Sequence, residues 1–165
     1  MPSRAEQQRF SDQTVPLHVR QTATIDMERT ADALRDIHWL GKPGDRSTAG
    51  PMRVVAIDLE LPILDGSSPR PIRKSAFLEL GTPRVAADAI AVDIAWRSAS
   101  FAPLFPVFAG TLLIDREAVV VDGRYAPPFG QLGLLIDRGL LHLVARRTAA
   151  ALVARLIQRF SAPQT

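Results

Sequence analysis

The sequence predicts an α+β fold in which a curved antiparallel β-sheet of about six to seven strands wraps around one long C-terminal helix. Two observations predict this class. Apolar and polar residues alternate through most of the chain up to Tyr125, which is typical of half-buried strands. From Leu134 to Phe160 there is no proline, only Gly139 interrupts, and apolar residues recur at helical spacing. Short connections between consecutive strands favour antiparallel pairing, so the one long helix is available to cover the sheet.

The alternating segments define the predicted strands. In the first, Leu17, Val19 and Ile25 share one face, while His18 and Arg20 share the other. Glycine, proline and aspartate separate the segments and predict loops or turns at 42–51, 65–69 and 115–117. The predicted strands are Val15–Ile25, Arg53–Leu61, Ile72–Leu80, Ala89–Arg97, Phe108–Ile114 and Ala118–Tyr125.

Two helices are predicted, one short and one long. Asp26 is a suitable N-cap for a short helix over Met27–Ile37. Pro127 and Pro128 end the last strand, because proline cannot donate a ladder hydrogen bond. A helix of about 25 residues after them would be about 38 Å long, enough to cross a sheet. The predicted apolar stripe contains Leu141, Val144, Thr148 and Leu152, with Leu140, Ala151 and Leu156 beside them, and closes with the charge of Arg155. Leu141, Val144, Thr148 and Leu152 are predicted to face the sheet.

Composition limits the class of protein. The chain has 165 residues, which predicts one domain over 15–160 with flexible tails at 1–14 and 161–165. It has no cysteine, which excludes disulfides and thiolate chemistry. The net charge is +3 and aromatic residues are 6% of the chain, a pattern that argues against nucleic-acid binding. The sequence has no apolar run long enough for an integral membrane segment and begins with polar residues, so we expect a cytoplasmic protein.

No catalytic, cofactor or metal motif is present in the sequence. There is no Gly-x-Ser-x-Gly for a nucleophile, and neither glycine-rich phosphate motif occurs. The three histidines, His18, His38 and His142, form no metal-binding pair. Asp58 and Glu60 point outward by strand parity, where solvated charges are expected. We therefore expect no cofactor and no metal, and a protein that is more readily a binding module than an enzyme.

Several short patterns resemble the START-like, or Bet v 1-like, superfamily, also called SRPBCC. Leu34, Asp36 and Trp39 are similar to the Leu-x-Asp-x-x-Trp near the end of the family's first helix. The run Leu104–Gly110 resembles a Phe-Pro-x-x-x-Gly that precedes the last hairpin. Val121–Gly130, with Asp137 beyond it, resembles the last strand entering the C-terminal helix. The resemblance covers Val15–Phe160, and the two-helix insertion usual in the family is expected to be reduced here.

The resemblance implies a helix-grip fold with a deep cavity between the sheet and the last helix. Members of the superfamily bind lipids, sterols, polyketides or other apolar molecules, and some are polyketide cyclases or aromatases. Fold analogy does not choose among these functions. The residues predicted to line such a cavity are Trp39, Leu59, Leu80, Ile94, Trp96, Tyr125, Leu141, Val144, Thr148 and Leu152.

Each polar member of that set also has a structural interpretation. Tyr125, the chain's one tyrosine, either orients a ligand or is a core tyrosine bonded to backbone. Trp39 and Trp96 either wall a cavity or pack in a core. Thr148 either contacts a ligand or donates to a carbonyl in the preceding helical turn. His142 neighbours the apolar stripe, and its structural interpretation is a buried histidine with its hydrogen bonds satisfied.

Three functions follow as hypotheses. The first is non-catalytic binding of an apolar small molecule, which is lipid-like, sterol-like or polyketide-like. The second is a polyketide cyclase or aromatase that uses Tyr125 as an acid. The third is a surface interaction through the last helix, whose arginines Arg146, Arg147, Arg155 and Arg159 would meet anionic lipid or a partner. A monomer and a homodimer are both compatible with the sequence.

Overall fold

The computed structural model describes residues 14–43, 52–62, 71–98, 107–126 and 138–161, and it shows the predicted α+β class. Within these residues the chain forms one antiparallel sheet and two α-helices, α1 over Met27–Arg35 and α2 over Arg138–Phe160. The strands are β1 Val15–Thr22, β2 Lys42–Pro43, β3 Arg53–Pro62, β4 Pro71–Leu80, β5 Arg84–Val85, β6 Ala89–Ser98, β7 Val107–Asp115 and β8 Ala118–Ala126.

The strand order explains how the two ends of the fold meet. The sheet runs β1-β8-β7-β6-β4-β3-β2, and β5 pairs with β6 beside this path. The first long strand therefore lies next to the last one, with Val15 opposite Tyr125 and Thr22 opposite Ala118. The remaining long strands follow one another as hairpin neighbours, as the short connections predict.

Helix α2 shows that the sheet is curved. Its backbone comes closest to β1 and β8 at one side of the sheet and to β3 near the other side. β1 and β3 are five strands apart, which is about 24 Å in a flat sheet at about 4.8 Å per strand. A helix that crossed a flat sheet would come as close to the middle strands as to the outer ones, whereas α2 comes closest to the outer ones. The sheet therefore bends around α2, which is the helix-grip arrangement.

A continuous row of inward side chains crosses the middle of the concave face. Strand register places Tyr125 opposite Phe108, Phe108 opposite Trp96, Trp96 opposite Leu78, and Leu78 opposite Val55. All five side chains are buried. The strands that carry Phe108, Trp96 and Leu78 lie further from the α2 backbone than β1, β8 and β3 do, so long side chains fill the space between them.

Two facing glycines on β7 and β8 leave room for the Phe108 ring. Gly110 and Gly123 are register partners on β7 and β8. A methyl group at Gly110 would lie 2.3 Å from the Asp122 carbonyl oxygen and 2.7 Å from the Phe108 ring; one at Gly123 would also lie 2.7 Å from that ring. Any side chain at either position would therefore collide with backbone, and the Phe108 ring occupies the space that the glycines leave.

The buried face of α2 differs from the predicted stripe. Thr148 and Leu152 face the sheet as predicted, but Val144 is half-buried and Arg155 is exposed. Leu156, which belongs to the predicted stripe, is buried and continues the helical spacing without burying a charge, whereas Ala151 of that stripe is exposed. The buried residues of the described part of α2 are Ala145, Thr148, Ala149, Leu152, Val153, Leu156 and Phe160.

The first strand and the first helix end earlier than predicted. β1 stops at Thr22 rather than Ile25, because Ile25 leaves the ladder and pairs with Ser161 instead. α1 stops at Arg35 rather than Ile37, because Asp36 adopts extended backbone angles (φ −114°, ψ 105°). The predicted N-cap is confirmed: an Asp26 carboxylate oxygen accepts a hydrogen bond from the Arg29 N–H at 3.0 Å.

The other five predicted strands agree with their predicted bounds to within one residue at each end. The two-residue strands β2 and β5 were not predicted, and β2 lies at the start of the segment 42–51 that was predicted to be a loop. The predicted helical residues 134–137 lie outside the described residues, as do 104–106 of the family-like run. The side chains of Leu59 and Leu141 also lie outside the described set. No helix in the described parts of the chain is both long and apolar enough to cross a membrane.

Candidate functional site

The candidate site lies under α2, over the middle strands of the concave face. Trp96 of β6 stacks on Phe108 of β7, with ring centroids 3.9 Å apart and planes 13° from parallel. Strand alternation places both rings on the inner face, and their register pairing brings them side by side. The exposed fractions are 1% for Trp96 and 0% for Phe108, so both rings are sealed from solvent.

The indole N–H of Trp96 has no hydrogen-bond partner among the described residues, although it is buried. An indole nitrogen is a donor only, and a buried donor without an acceptor costs roughly 1–3 kcal/mol. Trp39, the other tryptophan, shows the usual solution, since its Nε1 donates to the Ala33 carbonyl at 2.8 Å. The Trp96 donor therefore needs an explanation that core packing alone does not supply.

Thr148 contributes the second polar atom without a described partner, and it lies on the buried face of α2. Its hydroxyl is buried on α2 and has no partner within the described structure. The expected hydrogen bond to the preceding helical turn is therefore not formed. By contrast, the buried Thr30 hydroxyl on α1 makes that type of bond, donating to the Asp26 carbonyl at 2.6 Å. Among the described residues, the Thr148 hydroxyl thus has neither its donor nor its acceptor capacity used.

Tyr125 and His142 form the end of the site nearest the start of α2. The Tyr125 ring is buried on the inner face, and its centroid lies 6.2 Å from that of the half-buried His142 ring. Burial raises the pKa of Tyr125, because the charged phenolate loses hydration. The phenol is therefore neutral at pH 7 and retains a proton that it can donate.

The structure places most of the predicted lining residues together. Those with described side chains on the inner face or on the covering helix are Leu80, Ile94, Trp96, Tyr125, Val144, Thr148 and Leu152. Val144 is half-buried, and the others are 1–3% exposed. The side chains of Leu59 and Leu141 lie outside the described set, so their place in the lining stays a prediction.

Trp39 lies apart from this group. It packs edge-on against Phe160 at the far end of α2, with ring centroids 5.9 Å apart, and the Arg159 guanidinium lies over it. It borders an open groove of about 540 Å³ on the outside of α1. The other residues lining this groove are mostly charged: Asp26, Glu28, Arg29, Asp32, Ala33, Asp36 and Arg159. Trp39 is therefore adjacent to a polar surface rather than to the row of inward side chains that contains Trp96 and Phe108.

The four arginines of α2 that were considered for a surface interaction divide into two pairs. Arg146 and Arg147 are exposed on the helix surface. Arg155 donates to the Leu40 carbonyl at 2.7 Å, and Arg159 contacts Trp39, so this second pair has structural roles. Within the described residues no three histidine, aspartate or glutamate side chains come together as a metal site.

Comparison with known proteins yields no relative. No family model, curated protein or solved structure matches the chain. The architecture and the side chains of the site are therefore the basis for assigning a function.

Two features of the site were not predicted from the sequence. Phe108 was recognised as the start of a strand but not as the stacking partner of Trp96, which depends on the register between β6 and β7. His142 was considered only as a buried or metal-binding residue, yet it is the ring beside Tyr125. Strand parity alone gives the inward face of Phe108, but no local signal pairs it with Trp96.

Proposed function

We propose that this protein binds an apolar small molecule between the concave face of the sheet and α2. The observation that carries the proposal is a pair of buried polar atoms, Trp96 Nε1 and Thr148 Oγ1, that have no partner among the described residues and belong to a mainly apolar part of the core. Each unpaired atom costs the ligand-free protein stability. A ligand that supplied hydrogen-bonding atoms there would recover that cost and would also bury apolar surface, at about 25 cal/mol per Å².

The geometry supports a ligand that enters by displacement of packed side chains. The Trp96 and Thr148 polar atoms are sealed from solvent, so a ligand reaches them when α2 or the side chains beneath it move. The backbone of α2 is closest to β1, β8 and β3, so within the described residues it is mainly side chains that bridge the middle of the concave face. Side chains rearrange more readily than paired backbone, and this favours the middle strands as the binding position.

The first experiment is native mass spectrometry of freshly purified protein, followed by organic extraction of whatever is bound. We expect a discrete adduct, and binding of the neutral apolar dye Nile red after the adduct is removed. A protein that shows neither an adduct nor saturable dye binding would contradict the proposal.

A matched pair of variants locates the site. Ala149 is buried on the face of α2 toward the sheet, whereas Ala151 is exposed two residues along the same helix. Ala149→Leu fills the space under the helix and should weaken Nile red binding, while Ala151→Leu should not. Circular dichroism of both variants verifies that the helix is retained. Equal dye binding by the two variants would place the dye elsewhere.

Tyr125 and His142 support a second candidate, a cyclase of the polyketide type. The sequence hypothesis lacked a second titratable group near Tyr125, and His142 is such a group. In an intramolecular aldol step, His142 would take a proton from a carbon between two carbonyls. That carbon would then bond to a distant ketone carbon, whose oxygen would take the Tyr125 proton. The product is an isomer of the substrate, so the step needs no other reactant.

Turnover of a poly-β-ketone mimic tests this second candidate. It predicts cyclisation above the rate in buffer, lost in Tyr125→Phe and reduced in His142→Phe. A variant at a distant histidine, His38→Phe, is the control, because His38 is exposed beyond the end of α1. Wild-type protein that cyclises the mimic no faster than buffer would eliminate the enzyme hypothesis and leave the binding proposal intact.

A further inference from the structure

The Trp96 donor carries information about the chemistry of the ligand. Because an indole N–H donates and cannot accept, its complement must be an acceptor atom. The Thr148 hydroxyl both donates and accepts, so it does not discriminate between ligand groups. Trp96 therefore restricts the chemical group of the ligand that can bond to it more than Thr148 does.

The surroundings of Trp96 disfavour a charged acceptor. Its strand partners are Leu78 and Phe108, and the next inward residue on its own strand is Ile94. These three side chains are apolar and 0–2% exposed. An ionised carboxylate placed among them would lose its hydration at a cost far above the gain from one hydrogen bond, whereas a carbonyl or ether oxygen loses much less.

We infer that the ligand is an uncharged molecule with an acceptor oxygen, such as a ketone or ester carbonyl, that receives the hydrogen bond of Trp96 Nε1. This inference rests on the proposed binding function. The site should therefore bind neutral carbonyl compounds more tightly than it binds free fatty acids or plain hydrocarbons. The Phe108 ring that stacks on Trp96 holds the indole plane and so fixes the direction of the donor.

The two tryptophans provide an internal comparison for the test. Isotope-labelled protein has two indole N–H signals, one for each tryptophan. Trp39 already donates to Ala33, so its signal reports a saturated hydrogen bond. On titration with methyl decyl ketone we expect the Trp96 indole proton to move downfield, as for a newly formed hydrogen bond, while the Trp39 proton stays in place.

Affinities for three probes of equal chain length complete the experiment. Methyl decyl ketone, dodecane and dodecanoate are compared by displacement of Nile red. We expect the ketone to bind about five- to tenfold tighter than dodecane, the effect of one net hydrogen bond, and dodecanoate to bind most weakly. Trp96→Phe should remove the difference between ketone and hydrocarbon, and Trp39→Phe should preserve it.

The outcomes separate this inference from the function on which it rests. If ketone and dodecane bind equally and the Trp96 signal stays in place, the inference is wrong and apolar binding stands. If dodecanoate binds most tightly, the ligand is an acid and the inference is again wrong. If no probe binds and Nile red is not held, both the inference and the proposed function fail. The signals of wild-type protein decide the matter even if Trp96→Phe does not fold.

Discussion

At the residue scale, the described interior of this protein combines tight apolar packing with two polar atoms that have no partner among the described residues. Trp96 and Thr148 lie among residues such as Phe108, Ile94 and Leu152 that are almost wholly removed from water. Buried donors without acceptors are uncommon in folded proteins, because water would satisfy them in the unfolded chain. Their cost falls on the ligand-free state, and this is the physical basis of the binding proposal.

A pair of threonines tests whether that cost is real. Thr148→Val exchanges an unpaired buried hydroxyl for a methyl group, so we expect the free energy of unfolding to rise by about 1 kcal/mol. Thr30→Val removes a hydroxyl that donates to Asp26, so the free energy of unfolding should fall by about 1 kcal/mol. Urea unfolding of both variants measures the two changes. Losses of similar size in both would mean that the Thr148 hydroxyl has a partner after all.

Glycine packing supplies a second residue-scale prediction. Gly110→Ala should lower the free energy of unfolding by about 1–3 kcal/mol, because the added methyl would meet the Asp122 carbonyl oxygen at 2.3 Å. Gly81→Ala is the control, since its methyl would meet nothing closer than 3.4 Å. Thermal unfolding monitored by circular dichroism compares them. Equal midpoints for the two variants would show that β7 and β8 separate easily at this row.

At the element scale, α1 is a short helix whose start depends on a local cap. The Asp26 carboxylate accepts from the Arg29 N–H, and the Asp26 carbonyl accepts from Thr30. Short helices have little stability of their own, so caps and packing decide whether they form. The residues buried on α1 are Thr30, Ala33 and Leu34, which attach it to the core.

Removing the cap should destabilise α1 measurably. Asp26→Ala deletes the cap acceptor, and we expect a loss of about 1 kcal/mol in the free energy of unfolding. Asp32→Ala deletes an exposed carboxylate that pairs with Arg35 on the same helix, and we expect about 0–0.5 kcal/mol. Urea unfolding provides the comparison. A larger loss for Asp32→Ala than for Asp26→Ala would contradict the capping role.

The short strand β5 provides an element-scale test by pH. Arg84 donates hydrogen bonds to both oxygens of Asp93 at 2.7 and 2.8 Å, and this interaction lowers the pKa of Asp93. A carboxyl whose pKa is lower folded than unfolded stabilises the fold above the unfolded pKa of about 3.9. That contribution is lost as the pH falls through the folded pKa.

Arg84→Met should therefore raise the pKa of Asp93 toward its ordinary value and reduce the loss of stability on acidification. A carboxyl-carbon NMR titration of Asp93 gives the pKa directly. Arg97→Met is the control, because Arg97 pairs with Glu79 instead. An Asp93 titration that is the same in wild type and Arg84→Met would show that the ion pair does not persist in solution.

At the scale of the whole molecule, the C-terminal end of α2 is attached to the connection between β1 and α1. The Asp26 N–H donates to the Phe160 carbonyl at 2.9 Å, and Ile25 forms a β-bridge with Ser161. Phe160 is fully buried and packs against Trp39. The helix that covers the site is thus fastened at its far end, while the Tyr125 and His142 end lies near its start.

This arrangement predicts one cooperative unit. Phe160→Ala should lower the free energy of unfolding by about 3–5 kcal/mol, because a buried aromatic ring is lost at the junction of α1, β1 and α2. Arg159→Ala, at the exposed neighbouring position, should cost less than about 1 kcal/mol. Urea unfolding followed by tryptophan fluorescence and by circular dichroism should give coincident curves. Separate transitions in Phe160→Ala would show that α2 detaches before the sheet unfolds.

Local patterns in the sequence determined the element types. Alternation placed Trp96, Ile94 and Tyr125 on an inner face, and helical spacing identified α2 and its buried Thr148 and Leu152. The Asp26 cap was equally local, since a cap acts within three residues. These features can be predicted from the sequence because they depend on residues that are close together along the chain.

Tertiary structure alone decided which of these residues meet. Register paired Phe108 with Trp96, and packing brought His142 to Tyr125. It also left the hydroxyl of Thr148 unpaired, where local rules expected a bond to the helix backbone. Contacts between distant segments depend on the summed free energy of the whole arrangement, which no window of the sequence contains.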